Sequence, residues 1–225
     1  MGAAAGVFAW AVRGRSCTWL APSGWKGPRG RKALALTFDD GPSESTPAVL
    51  ELLARYNARA TFFMVGANVE RLPHIARAVA EAGHEIGNHS YSHSRFDFRA
   101  RQFMRVDLED AQLAIRNACG VTPRLFRAPY GVRWFGLGAV QQELGLNGVM
   151  WSAIGLDWKL PAQGVAKRLA GGAKNGAIFC LHDGREKQPA PDVSATTGAL
   201  AILLPQLRSQ GYGLVAVSEL LGQRS

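Results

Sequence analysis

Acidic residues are missing from the first 38 positions of this chain. Asp39 is the first of them, whereas Arg13, Arg15, Lys26, Arg29, Arg31 and Lys32 all precede it, so the net charge of +9 is weighted toward a basic leader. Cysteine is scarce too. Cys17, Cys119 and Cys180 are unevenly spaced, which suggests neither a disulfide framework nor a zinc knuckle. The apolar stretch over 3–12 falls well short of the roughly 20 residues that cross a bilayer. With no charged region before it and no clear cleavage site after it, it reads as the remnant or end of a signal or anchor region. The chain also lacks a fixed-period repeat, a glycine-rich nucleotide fingerprint and any recognisable nucleic-acid motif, so nucleic acid is not an expected partner. The leader's charge suits anionic lipid or an anionic cell-wall polymer, and equally a solvated arm. An extracytoplasmic or cell-envelope setting is the expectation that goes with it.

What is present is an ordinary globular composition, 47% hydrophobic and 19% charged in 225 residues, which fits one domain. We divide the chain into a basic extension over 1–31 and one globular domain over 32–225. Apolar runs bounded by turn residues predict strands over 33–38, 60–65, 84–87, 125–128, 148–154, 177–181 and 212–217. Helical spacing predicts helices following Thr46-Pro47, from Pro73 to Gly83, over 103–118, 137–144, 162–169 and 197–209, with a closing turn over 218–221. Strand–helix alternation repeated about seven times predicts an α/β fold with parallel strands and outer helices. Its length makes a distorted or incomplete (β/α) barrel the expected form, with an open doubly wound sheet as the alternative.

The polar residues gather at one kind of place. Asp39-Asp40, His89 and His93, Arg127, Asp157-Trp158 and His182-Asp183 each follow the C-terminal end of a different predicted strand, and those ends form one face of a parallel barrel. Asp39 and Asp40, before Gly41-Pro42, read either as a turn or as a pair of carboxylates whose roles a cation separates. His89 and His93 stand four apart, so a helical turn or tight loop can aim both imidazoles at one point. With Asp40 they make two nitrogens and one oxygen around an open position, the donor set of a catalytic zinc-type site. His74 reads as a helix-face residue and His84 as a structural residue of a strand.

In this order, Thr37-Phe38-Asp39-Asp40-Gly41-Pro42, His89-Ser90-Tyr91-Ser92-His93, Arg127-Ala128-Pro129-Tyr130, Asp157-Trp158 and Leu181-His182-Asp183 resemble the motif series of the polysaccharide deacetylases with the NodB homology domain, carbohydrate esterase family 4. The resemblance runs from about Lys32 to Leu221. It implies a distorted (β/α) barrel and hydrolysis of N-acetyl groups on N-acetylglucosamine polymers such as peptidoglycan or chitin, or of O-acetyl groups on xylan. It further implies a divalent metal, usually Zn2+ with Co2+ or Ni2+ able to substitute, on Asp40, His89 and His93. Asp39 would be the base that handles a water activated there, tuned by Arg127. His182 would be the acid, oriented by Asp157, and the Tyr130 N–H would meet the oxyanion. Pro129, Tyr130, Trp158, Cys180 and Leu181 are the expected substrate contacts. Cys180 stands where the family usually has leucine, so either the acetyl slot is enlarged or Leu181 fills it. An O-acetyl xylan esterase, a sugar deformylase and a non-catalytic glycan-binding relative are the alternatives to an N-deacetylase.

Overall fold

The computed structural model describes residues 2–222. Nine parallel strands form one curled sheet in the order β1-β6-β5-β4-β3-β2-β8-β7, with β9 against β2. The strands are β1 Ser23–Gly24, β2 Ala33–Asp39, β3 Ala60–Met64, β4 Glu85–Asn88, β5 Leu125–Phe126, β6 Asn147–Val149, β7 Ala153–Ile154, β8 Ile178–His182 and β9 Gly213–Leu214. Helices follow them as α1 Gly2–Arg13, α2 Thr46–Arg55, α3 Gly66–Arg71, α4 Pro73–Glu81, α5 Arg101–Cys119, α6 Leu137–Glu143, α7 Ala162–Gly171, α8 Ser194–Ser209 and α9 Val217–Leu221. The distorted (β/α) barrel expected from the alternation is the fold observed.

Strand alternation decides what each residue faces. Along β2, Leu34, Leu36 and Phe38 pack outward into the large cluster shared with Val49, Leu53, Leu200 and Leu203 of the helices. Ala33 and Ala35 point inward with Phe63 and Ile178. Thr37 and Asp39 continue that inward column, so the last inward residue of a fully buried strand is a carboxylate. On β8, Phe179 and Leu181 join the outer cluster, while Ile178 faces the interior and Cys180 and His182 reach its upper end. Burial on both faces explains why these strands read as near-continuous apolar runs.

Beyond α1, a helix where the sequence reading has only an apolar stretch, three elements depart from it. The strand over 148–154 is two strands, β6 and β7: between them the Arg127 guanidinium takes the carbonyls of Val149 and Met150, and the Ser152 hydroxyl takes the Ile178 amide. Helix α3 is absent from the sequence reading; its first amides donate to Ser90 O and Tyr91 O and hold the 89–93 loop. The third is β1, which pairs with β6 and brings the leader onto the barrel. No apolar pattern announces a two-residue backbone pairing. Gly148 permits it, since a Cβ there would lie 2.4 Å from Pro22 O. Ala11, Val12, Cys17 and Ala21 of the leader are buried.

Candidate active site

Asp39 ends β2 and Asp40 turns off it with a left-handed φ of 73°, so consecutive carboxylates meet one space. Asp40 Oδ1 lies 2.9 Å from His93 Nε2 and 3.5 Å from His89 Nε2. Both imidazoles come from the loop after β4, in which Ser90 Oγ accepts the His93 N–H and Asp107 Oδ1 accepts the Ser92 N–H. His89 Nδ1 is 2.7 Å from Arg127 O. A carbonyl only accepts, so Nδ1 carries the proton and Nε2 offers its lone pair on the Asp40 side. The donor atoms of Asp40, His89 and His93 all lie within 4.8 Å of one another, and all three residues are buried. Two imidazoles and a carboxylate at this spacing fit a divalent cation with an open coordination position. Burial opposes ionisation of Asp40, but hydrogen bonds from the two imidazoles, when Nε2 bears a proton, outweigh it and hold the carboxyl well below its ordinary range, and a cation in the proton's place would act in the same direction.

The other aspartate has a different environment. Arg127 crosses the barrel interior fully buried, with Nη1 2.6 Å from both Asp39 Oδ1 and Thr37 Oγ1 and its guanidinium 4.2 Å from the Phe63 ring centre. That leaves Asp39 Oδ2 beside Cys180 Sγ at 3.5 Å and His89 Nε2 at 4.0 Å. Cys180 itself is pushed well above its ordinary pKa by burial and then by the Asp39 charge, so it is a neutral thiol in the floor.

Opposite stands His182, whose Nδ1 is 2.8 Å from Asp157 Oδ1. Asp157 is fixed in turn by the His182 backbone N–H and the Thr196 hydroxyl. Burial alone would push His182 down, but the hydrogen bond and charge of Asp157, with Asp40 and Asp39 beyond, raise it to about 9. Trp158 stands edge-on to this ring, centroids 5.1 Å apart. Tyr130 has a φ of 57° and places its ring 4.8 Å from His93, and its hydroxyl donates to Glu186 Oε1.

Asp39, Asp40, His89, His93, Tyr130, Trp158, Cys180 and His182 thus share the walls of one cavity of about 840 Å³. Arg127 and Asp157 stand behind that wall, each bonded to a residue in it. Leu181 and Pro129 do not line it. Leu181 points into the outer core, as alternation requires of a residue between Cys180 and His182, so it does not fill an acetyl slot. Pro129 is buried at the turn that presents Tyr130. Asp183, to which the sequence assigned no firm role, is buried and accepts the Thr46 hydroxyl at 2.6 Å, tying β8 to the start of α2. Sequence reasoning missed Arg13, Gly131, Trp151, Ile154, Leu156 and the run over 185–188 in the lining. Gly131 follows Tyr130, Leu156 precedes Asp157 and Arg185 lies two past Asp183, and that proximity to a motif was their signal.

The family profile for polysaccharide deacetylase matches residues 26–149. A peptidoglycan-N-acetylglucosamine deacetylase of Bacillus cereus is 39% identical over 90% of this chain and 95% of its own length. A chitooligosaccharide deacetylase of Azorhizobium caulinodans is 35% identical over 82% of this chain and 92% of its own length. Among solved structures, a peptidoglycan N-acetylglucosamine deacetylase in complex with 4-naphthalen-1-yl-N-oxidanyl-benzamide superposes with a TM-score of 0.83 at 30% identity, over 89% of this chain and 92% of that one.

Proposed function

This chain belongs to the polysaccharide deacetylase family, and on that premise we propose that it hydrolyses the acetamide of N-acetylglucosamine units in a peptidoglycan- or chitin-like glycan. The observation that carries the reading is the pairing of two carboxylates of opposite setting, Asp39 on Arg127 and Asp40 on two imidazoles, across one cavity from the Asp157–His182 pair.

A divalent cation held by Asp40, His89 and His93, which we assign as zinc, would supply Lewis-acid polarisation of the acetyl carbonyl and of a water. Asp39 takes the proton of the attacking water. Arg127 keeps that carboxylate aimed by binding Oδ1 and leaving Oδ2 toward the cavity. The Tyr130 N–H donates to the oxygen that gains charge as the carbonyl becomes tetrahedral. His182, proton-bearing and held through Nδ1 by Asp157, delivers a proton from Nε2 to the departing nitrogen, because an amide nitrogen leaves badly as an anion. Trp158 and Cys180 bound the acetyl pocket. An extracytoplasmic or envelope location belongs to the same reading, and cell fractionation tests it.

The test is release of acetate and free amine from N-acetylglucosamine oligomers, with metal analysis of the purified protein. Asp39→Asn is expected to lower kcat by about 10²–10⁴ with metal retained, whereas His89→Ala loses the metal. Undiminished turnover after thorough chelation would overturn the assignment. Matched ester and formyl substrates separate it from an acetyl esterase or a deformylase, and glycan binding without any release identifies a non-catalytic relative.

A further inference from the structure

The chemistry above leaves unused the charge at the cavity mouth. Arg13, Arg185 and Lys187 line it, and none of the three forms an ion pair among the described residues. Two of the carboxylates in the same lining are matched by other groups, and Glu186 meets only a neutral donor. Asp39 is paired with Arg127, Asp40 with the imidazoles, and Glu186 accepts the Tyr130 hydroxyl. Asp97, which feels the charge of Arg13, is itself paired with Arg95. Arg185 is held in place by carbonyls alone, donating to Gly184 O and Asp157 O at 2.8 and 3.0 Å.

Arg13 is not a stray side chain of a loose arm. It ends α1, and the turn behind it is clamped by the buried Arg133, whose backbone N–H donates to Val12 O and whose guanidinium donates to Gly14 O and Cys17 O. On the other side Arg15 donates to Ser152 O. Arg133 lies only three residues past Tyr130, so the loop that lines the cavity also fixes the leader over it.

We propose that the leader is a working part of the cleft. Arg13, with Arg185 and Lys187, forms a cationic mouth that selects glycans bearing carboxylates beside their N-acetylglucosamine units over neutral ones. The inference rests on the deacetylase reading for the identity of the sugar, but not for the preference itself. A local excess of positive charge, here three cations against the Glu186 carboxylate with Asp192 near Arg185, attracts an anionic ligand over about 10 Å at moderate salt, and part of that attraction is lost as salt rises.

The test uses the full chain and three probes. These are a neutral N-acetylglucosamine oligomer, an N-acetylglucosamine–N-acetylmuramic acid oligomer stripped of peptides so that its carboxylates are free, and the latter with its carboxylates converted to methylamides. Affinity by calorimetry and kcat/KM for acetate release are measured for the parent and for the Arg13→Gln/Lys187→Gln variant. The parent is expected to prefer the free-carboxylate oligomer, and the variant to lose about fivefold or more of that preference through affinity and KM. Amidation of the substrate is expected to erase the same preference, and 0.5 M salt with the unaltered protein to weaken it as the Debye length shortens to about 4 Å. A preference that survives both salt and amidation overturns the proposal even if the variant fails to fold. A folded variant that keeps the parent's preference overturns it as well. If no glycan releases acetate, the deacetylase reading fails, while loss of the affinity preference in the variant still supports the cationic mouth.

Discussion

At the scale of single residues, the site separates similar groups by their partners. Asp157 is what makes His182 an acid at neutral pH. His182 delivers its proton only while it is protonated, so with a pKa of about 9 the acid form persists through neutrality and is lost above that value. Asp157→Asn removes the charge but keeps the shape. The alkaline limb of the kcat/KM–pH profile is then expected to move down from near 9 toward the ordinary histidine value, roughly 6.5, and a limb that stays put refutes the pairing. Arg127 carries a second expectation. Its guanidinium joins Asp39, Thr37 and the carbonyls of Val149 and Met150, so Arg127→Met strands a buried carboxylate. About 3–5 kcal/mol of stability should be lost, read from the urea midpoint at constant slope. Residues of this kind were legible in the sequence because each stands just past an apolar strand, where chain direction alone brings them together. Leu181 belongs on the face opposite Cys180 and His182 by the two-residue period alone, which separates it from the pocket.

At the scale of elements, long buried strands and amphipathic helices left clear patterns, and short pieces did not. Strand β2 is an apolar run buried on both faces over seven residues and helix α5 buries one apolar face along 19, so a continuous run marks the first and periodicity the second. The two-residue strand β1 is held by backbone bonds and by the bare backbone of Gly148, neither of which leaves a composition signal. The break between β6 and β7 coincides with side-chain bonds, from Arg127 to the carbonyls of Val149 and Met150 and from the Ile178 amide to the Ser152 hydroxyl, which no periodicity announces. Gly148→Ala tests the seating of β1. The added Cβ meets Pro22 O and Ser23 Oγ, and overpacking of this sort costs about 1–3 kcal/mol. The Met150 amide, which donates to Gly24 O at 2.7 Å, should exchange its hydrogen faster while the amides of β2 keep their protection.

For the whole molecule, Asp183 makes stability depend on pH. Burial raises its pKa to about 7, against the Thr46 hydrogen bond that lowers it, from an ordinary value of 3.8. Between those values the folded protein binds a proton that the unfolded chain does not, so this group's contribution to stability falls as pH rises through that range. The cost is complete above about 7 and absent below 3.8. Asp183→Asn removes the dependence, and its urea midpoint relative to the parent should be higher at pH 8 than at pH 5. The reverse order would refute the buried protonated state.

The lining of the cavity adds a consequence of its own. Asp40, His93, Tyr130, Leu156 and Glu186 all line it with left-handed backbones, at φ of 73°, 55°, 57°, 58° and 51°. Each bend of that hand costs a non-glycine residue about 1 kcal/mol or more, and the surrounding packing has to sustain it. Glycine would relax any of these corners. It would also take away the side chain for which the corner exists, so the simplest route to a hardier protein runs through its mouth and blunts it.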